Sequence, residues 1–91
     1  MLAYMVLTRE IRMAHDLHGV TEGVRRMVGE AFRSMGGRWA FVDRPAELDK
    51  LARAMTAVED RIELEHGERG EWPARRQALR DARRLVESRL A

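Results

Sequence analysis

The apolar residues of this chain recur at helical spacing in four segments, and glycines follow three of these segments closely. Steps of three and four residues place successive side chains on one face of an α-helix, and glycine is the usual residue just past a helix end. The pattern predicts helices over about 3–18, 21–35, 44–65 and 73–90. We therefore expect an all-α fold, a small bundle of about four helices.

The second half of the chain carries the clearest helical pattern. The apolar face of the third segment consists of Leu48, Leu51, Ala52, Met55, Val58 and Ile62. That of the fourth consists of Ala78, Leu79, Ala82, Leu85, Val86 and Leu90. The loop between them, about His66 to Trp72, has the normal length for a helix–helix connection. Residues 44–91 are therefore predicted to fold back as a long antiparallel helical hairpin.

The first half of the chain is less uniform. The apolar face of the second helix is predicted to hold Val20, Val24, Met27, Val28, Ala31, Phe32 and Met35. Thr21 and Asp43 are the predicted N-cap residues of the second and third helices. Residues 36–43 are predicted to form an extended connector that lays Trp39 and Phe41 over the core, or a strand that needs a partner. Residues 1–7 suit a helix start, a short strand or a contact with a second subunit.

Composition narrows the class of protein. Ninety-one residues make one domain, and a hydrophobic content of 45% favours a folded chain. The absence of cysteine excludes disulfides, thiol catalysis and cysteine-ligated zinc, and it favours a cytoplasmic location. The apolar N-terminal run has no preceding basic region and is too short to span a bilayer, so we expect no signal peptide and no membrane anchor.

Charge is segregated along the chain although the net charge is only +2. Residues 44–72 hold five bases and eight acids, whereas 73–91 hold six arginines and two acids. At 100° per residue, four arginines fall within about a third of the circumference of the fourth helix. This arginine face consists of Arg76, Arg80, Arg83 and Arg84. It suits a phosphate backbone, or it pairs internally with acids of the third helix, namely Glu59, Asp60, Glu63 and Glu65.

A second basic candidate lies near the N-terminus. Residues 13–28 resemble a helix-turn-helix, with the turn at Gly19, which would add Arg25 and Arg26 to a nucleic-acid surface. The detailed match is poor, because His15 occupies a position that needs a small residue and Arg25 one that needs an apolar residue. An ordinary corner between two helices is the simpler interpretation.

Residues that could support catalysis or metal binding are sparse. His15 and His18 share a helix face, but a zinc site needs three or four ligands and His66 is remote in sequence. The segment from Gly67 to Gly70 lacks the strand and lysine of a phosphate-binding loop. We predict no catalytic, cofactor or metal site and no small-molecule substrate; a small helical enzyme that uses its carboxylates or His15 is the weakest alternative.

The function predicted from the sequence is that of a small cytoplasmic protein–protein interaction module, such as a regulator, adaptor or inhibitor. A homodimer fits, because the free N-terminus carries unusually much apolar surface, and a phage-encoded inhibitor would suit the description. The predicted interface residues are Leu2, Tyr4, Met5, Val6 and Trp39. The alternative is nucleic-acid binding through Arg76, Arg80, Arg83, Arg84, Arg25 and Arg26.

Overall fold

The computed structural model of the chain describes residues 19–90, and every regular element among them is helical. Three α-helices follow one another: α1 (Glu22–Ser34), α2 (Pro45–His66) and α3 (Trp72–Ser88). A single 3-10 turn, Trp39–Phe41, lies between α1 and α2. The all-α prediction is therefore confirmed for residues 19–90, while the predicted helix over 3–18 lies outside them.

Helix α1 buries one face and ends at glycine. Its buried side chains are Val24, Val28 and Phe32, with Val20 just before the helix. Gly36 adopts a φ of 81°, which glycine reaches at little cost, and this ends the helix as predicted. Thr21 occupies the N-cap position as predicted, but its side chain makes no capping hydrogen bond. Met35 was predicted on the apolar face of this helix, but it follows the last helical residue and is 41% exposed.

The connector after α1 is neither extended nor a strand, because Trp39–Phe41 form the 3-10 turn. Trp39 nevertheless packs on the core, with its ring centroid 4.5 Å from that of Phe32. Gly37 permits this turn, since a Cβ atom there would lie 2.3 Å from the buried ring of Phe32. The connector therefore folds back onto α1 instead of passing over it as a strand.

Helix α2 begins with Pro45 in its first turn, where a missing N–H does no harm. The N-cap position is Arg44, without a side-chain cap, so the predicted capping role of Asp43 is wrong. The first turn is instead tied to the connector through Glu47. Its Oε2 accepts a hydrogen bond of 2.8 Å from the backbone N–H of Arg38, and its Oε1 accepts one of 3.0 Å from Lys50 Nζ.

Helix α2 occupies the centre of the described fold, in contact with both α1 and α3. All six predicted apolar residues of this helix are buried. Ala54, Glu47 and Glu59 are buried as well. At 100° per residue the buried arc of α2 spans about 160°. A helix that packs on two neighbours needs this wider arc, which explains why the buried set exceeds the predicted apolar face.

Helix α3 packs chiefly against α2 and buries a narrower face than predicted. Leu79, Ala82 and Val86 are buried, whereas Leu85 is 55% and Leu90 is 39% exposed. A helix that packs mainly on one neighbour covers only the residues that point towards it. Leu90 also lies beyond the last residue of the helix.

The loop between α2 and α3 is closed by a stack of side chains. Gly67 ends α2 at the predicted position, with a φ of 55°. The rings of His66 and Trp72 lie parallel within 2°, and their centroids are 3.7 Å apart. The guanidinium carbon of Arg75 is 4.7 Å from the Trp72 ring centroid, a cation–π distance. These contacts join the last residue of α2 to the first turn of α3.

Candidate interaction surfaces

The arginine face of α3 lies along α2. Arg80 Nε is 3.2 Å from Glu59 Oε1, and Arg83 donates to both carboxylate oxygens of Glu59. Nearer the start of α3, Arg76 Nη1 lies 3.9 Å from Glu63 Oε1, and Arg76 Nη2 lies 3.3 Å from Glu68 Oε1. From Arg76 to Arg83 along α3, the partners on α2 therefore run from Glu63 back to Glu59.

Glu59 is the centre of this ion-pair cluster. Its side chain is 6% exposed, and a buried carboxylate without a partner would be strongly destabilising. The Arg83 side chain is 23% exposed, and its guanidinium makes a bidentate hydrogen bond to Glu59, while Arg80 supplies a further donor. Glu59 raises the pKa of Arg83 through its hydrogen bonds to that guanidinium, so this arginine stays charged. The cluster therefore holds α3 against α2.

One arginine of this face differs from the other three. Arg84 is exposed and makes no ion pair with any residue between 19 and 90. Arg83 has a second partner on its own helix, Glu87, at 2.7 Å. The cations predicted for a phosphate backbone are thus largely paired with carboxylates, and Arg84 is the exception.

The two arginines of the candidate helix-turn-helix lie apart from this face, on α1. Arg25 Nε donates a hydrogen bond of 3.0 Å to the carbonyl oxygen of Val20, which ties it to the start of its own helix. Arg26 pairs with Glu22 one turn earlier, at 3.3 Å, and both side chains are exposed. Residues 13–18, the first helix of that candidate motif, lie outside the described residues.

Of the predicted interface residues, the structure describes only Trp39; Leu2, Tyr4, Met5 and Val6 lie outside residues 19–90. Trp39 is half-buried and packs against Phe32, so part of its surface is used within the fold. Its substitution would therefore alter the packing of the connector as well as any surface that it presents.

Two leucines are exposed at positions that the periodicity does not mark as an interaction surface. Leu64 is 86% exposed, roughly opposite the buried arc of α2 at 100° per residue, and Leu85 is 55% exposed on α3. The sequence shows Leu64 only as an apolar residue outside the predicted apolar face.

An open groove of 280 Å³ adds a third feature. It is lined by Asp49, Ala52, Arg53, Thr56, Glu87 and Leu90.

No group of three His, Asp or Glu side chains that could hold a metal ion occurs among residues 19–90. His15 and His18 lie outside this range. None of the three described helices is long and apolar enough to cross a bilayer.

Comparisons with protein-family models, with curated proteins and with solved structures find no match to this chain. Its function is therefore inferred from its own residues and their contacts.

Proposed function

We propose that the chain is a small helical protein–protein interaction module, which acts by docking its surface on another protein or on a second copy. The ion pairing of the arginine face supports this proposal over nucleic-acid binding. Because Arg76, Arg80 and Arg83 bind acids of α2, most of that cationic surface is already neutralised. Exposed leucines at positions 64 and 85 add apolar surface of the kind that protein partners cover.

The proposal includes the finer architecture. Helices α2 and α3 form a helical hairpin, and a further helix over 3–18 completes a four-helix domain that spans 1–91. The module works as a homodimer in the cytoplasm, as a regulator, adaptor or inhibitor, for example a phage-encoded inhibitor. Pairing of two copies would cover the apolar N-terminal run at Leu2, Tyr4, Met5 and Val6.

Light scattering tests the homodimer. We expect the mass of the full chain to rise to twice the monomer mass as concentration increases, because association follows mass action. Deletion of residues 1–6 should leave a folded monomer, with folding checked by circular dichroism. If the full chain is a monomer at every concentration and the deletion changes nothing, the homodimer is wrong.

Nucleic-acid retention tests the alternative. Replacing all four arginines by glutamine would also remove the partners of Glu59, so a loss of binding in that variant would be ambiguous. Arg84→Gln avoids this problem, because Arg84 makes no ion pair with the other described residues. We expect neither protein to be retained on DNA or RNA at low salt. Salt-sensitive binding that Arg84→Gln weakens would favour the nucleic-acid function instead.

A further inference from the structure

The connector between α1 and α2 carries a cationic patch built around Phe41. The guanidinium carbon of Arg44 lies 4.2 Å from the Phe41 ring centroid, and that of Arg38 lies 6.0 Å from it. The spacing is symmetric, with Phe41 three residues from each arginine. Both arginines are exposed and the ring is half-buried. One aromatic ring thus brings two guanidinium groups to one small region of surface.

Arg33 adds a third cation close to the connector, beside Trp39. Its Nη1 and Cζ2 of Trp39 both lie 3.9 Å from the point that a Cβ atom on Gly29 would occupy, which places Arg33 next to the connector. Its side chain is exposed. We call Arg33, Arg38 and Arg44, with Phe41, the connector patch.

The charges of the connector patch are not neutralised in the way those of α3 are. None of its three guanidinium groups forms an ion pair with a residue in the described range 19–90. The nearest buried acid, Glu47, bonds the backbone N–H of Arg38 and the amine of Lys50, and neither bond involves a guanidinium. Asp43 also lies in this segment and makes its own interaction.

The start of the connector is bonded to both neighbouring helices. The hydrogen bond from Arg38 N–H to Glu47 fixes the start of the connector to α2. The N–H of Gly37 donates to the carbonyl oxygen of Phe32 at 2.9 Å, which fixes it to α1. A guanidinium stacked on a ring loses less rotamer freedom when it binds a carboxylate, because it is already oriented.

We propose that the connector patch binds an acidic segment of a partner protein, with the carboxylates of neighbouring Asp or Glu residues on Arg33, Arg38 and Arg44. This inference rests on the proposed function and specifies its partner. Planar guanidinium groups bind carboxylates through two parallel hydrogen bonds, which gives the contact direction as well as charge attraction.

The patch fits an acidic protein segment better than a nucleic acid. Single-stranded nucleic acids bind by stacking bases on open aromatic faces, in addition to their phosphate contacts. Here Arg44 lies over the Phe41 ring, and Trp39 packs on Phe32. The three cations at the connector also form a short site, whereas a polyphosphate backbone is usually followed by a longer basic surface.

Fluorescence anisotropy with a labelled oligoglutamate of about ten residues tests this proposal at low ionic strength, where screening is weak. The full chain should bind the peptide. Loss of three charge-assisted contacts in Arg33→Gln, Arg38→Gln, Arg44→Gln should weaken binding by roughly tenfold or more. The matched control replaces three exposed arginines that already have i,i+4 partners: Arg26→Gln, Arg53→Gln, Arg61→Gln. It carries the same net charge and should bind within about twofold of the unchanged chain.

Three outcomes overturn the proposal: no binding of oligoglutamate by the unchanged chain, equal weakening in both triple variants, or tighter binding of a labelled oligothymidylate than of the peptide. The last outcome would assign the patch to nucleic acid. Circular dichroism melts of both triple variants establish that each is folded. The light-scattering result stays independent, so the proposed dimer and the connector patch succeed or fail separately.

Discussion

Gly37 lies against the ring of Phe32, which is fully buried in the core. The φ of Gly37 is not positive, so its requirement for glycine comes from space and not from backbone conformation. A Cβ atom at this position would lie 2.3 Å from one ring carbon and 2.4 Å from another. The buried ring cannot move aside without disturbing the contact with Trp39.

Substitution of Gly37 by alanine should therefore destabilise the fold. Overpacking of a closed core costs about 1–3 kcal/mol, and we expect a loss of that size in the free energy of unfolding by urea. The control is Gly23→Ala on the exposed side of α1, where no described atom lies within 4 Å of the added Cβ. Alanine should leave stability unchanged there or raise it by up to about 1 kcal/mol. Equal stabilities of the two variants would contradict the packing at Gly37.

At the scale of elements, the sequence predicted what depends on local periodicity. The apolar face of α2 from Leu48 to Ile62 is buried as expected, and α2 ends at Gly67. The connector was not predictable in the same way. Its 3-10 turn depends on contacts distant in sequence, such as Arg38 with Glu47, and a short mixed stretch carries no period that reveals them.

Glu47 also links stability to pH. The hydrogen bond from the Arg38 N–H, followed by that from Lys50, lowers the pKa of Glu47 below its ordinary value of 4.5. A carboxyl whose pKa is lower in the folded state stabilises the fold above its unfolded pKa. That contribution is lost as the pH falls through the folded pKa.

We expect Glu47→Gln to melt at a lower temperature than the unchanged chain at neutral pH, because the amide carries no charge towards Lys50. The difference in melting temperature should shrink as the pH falls below 4.5, because Glu47 of the unchanged chain then becomes protonated and loses its charge. Asp60→Asn is the control, since Asp60 is exposed and has no ion pair among the described residues; it should change the neutral-pH melt little. A Glu47→Gln difference that stays constant from neutral to acid pH would contradict this account.

At the scale of the whole molecule, charge segregation along the sequence becomes charge pairing between α2 and α3. The sequence identified both sets of residues and left two interpretations open, since helical angles alone do not give the rotation of one helix against another. The contacts of Glu59 with Arg80 and Arg83 favour internal pairing of the arginines over a phosphate-binding face. The connector patch was missed because its arginines belong to α1, the connector and the start of α2, and only the fold brings Arg38 and Arg44 to the Phe41 ring and Arg33 close to Trp39.

The most direct test of the account is a double-mutant cycle on Glu59 and Arg83, because the functional proposal depends on these charges facing each other. Urea unfolding would be measured for Glu59→Gln, Arg83→Gln and the double variant. Glu59→Gln alone should lower the free energy of unfolding by on the order of 2–3 kcal/mol. This loss is smaller than that for breaking a fully buried ion pair, because the Arg80 side chain is partly exposed to water. We predict a coupling energy of about 1–3 kcal/mol between the two positions. Additive effects, with coupling below about 0.5 kcal/mol, would mean that Arg83 is available to other partners and would return the arginine face to the nucleic-acid hypothesis.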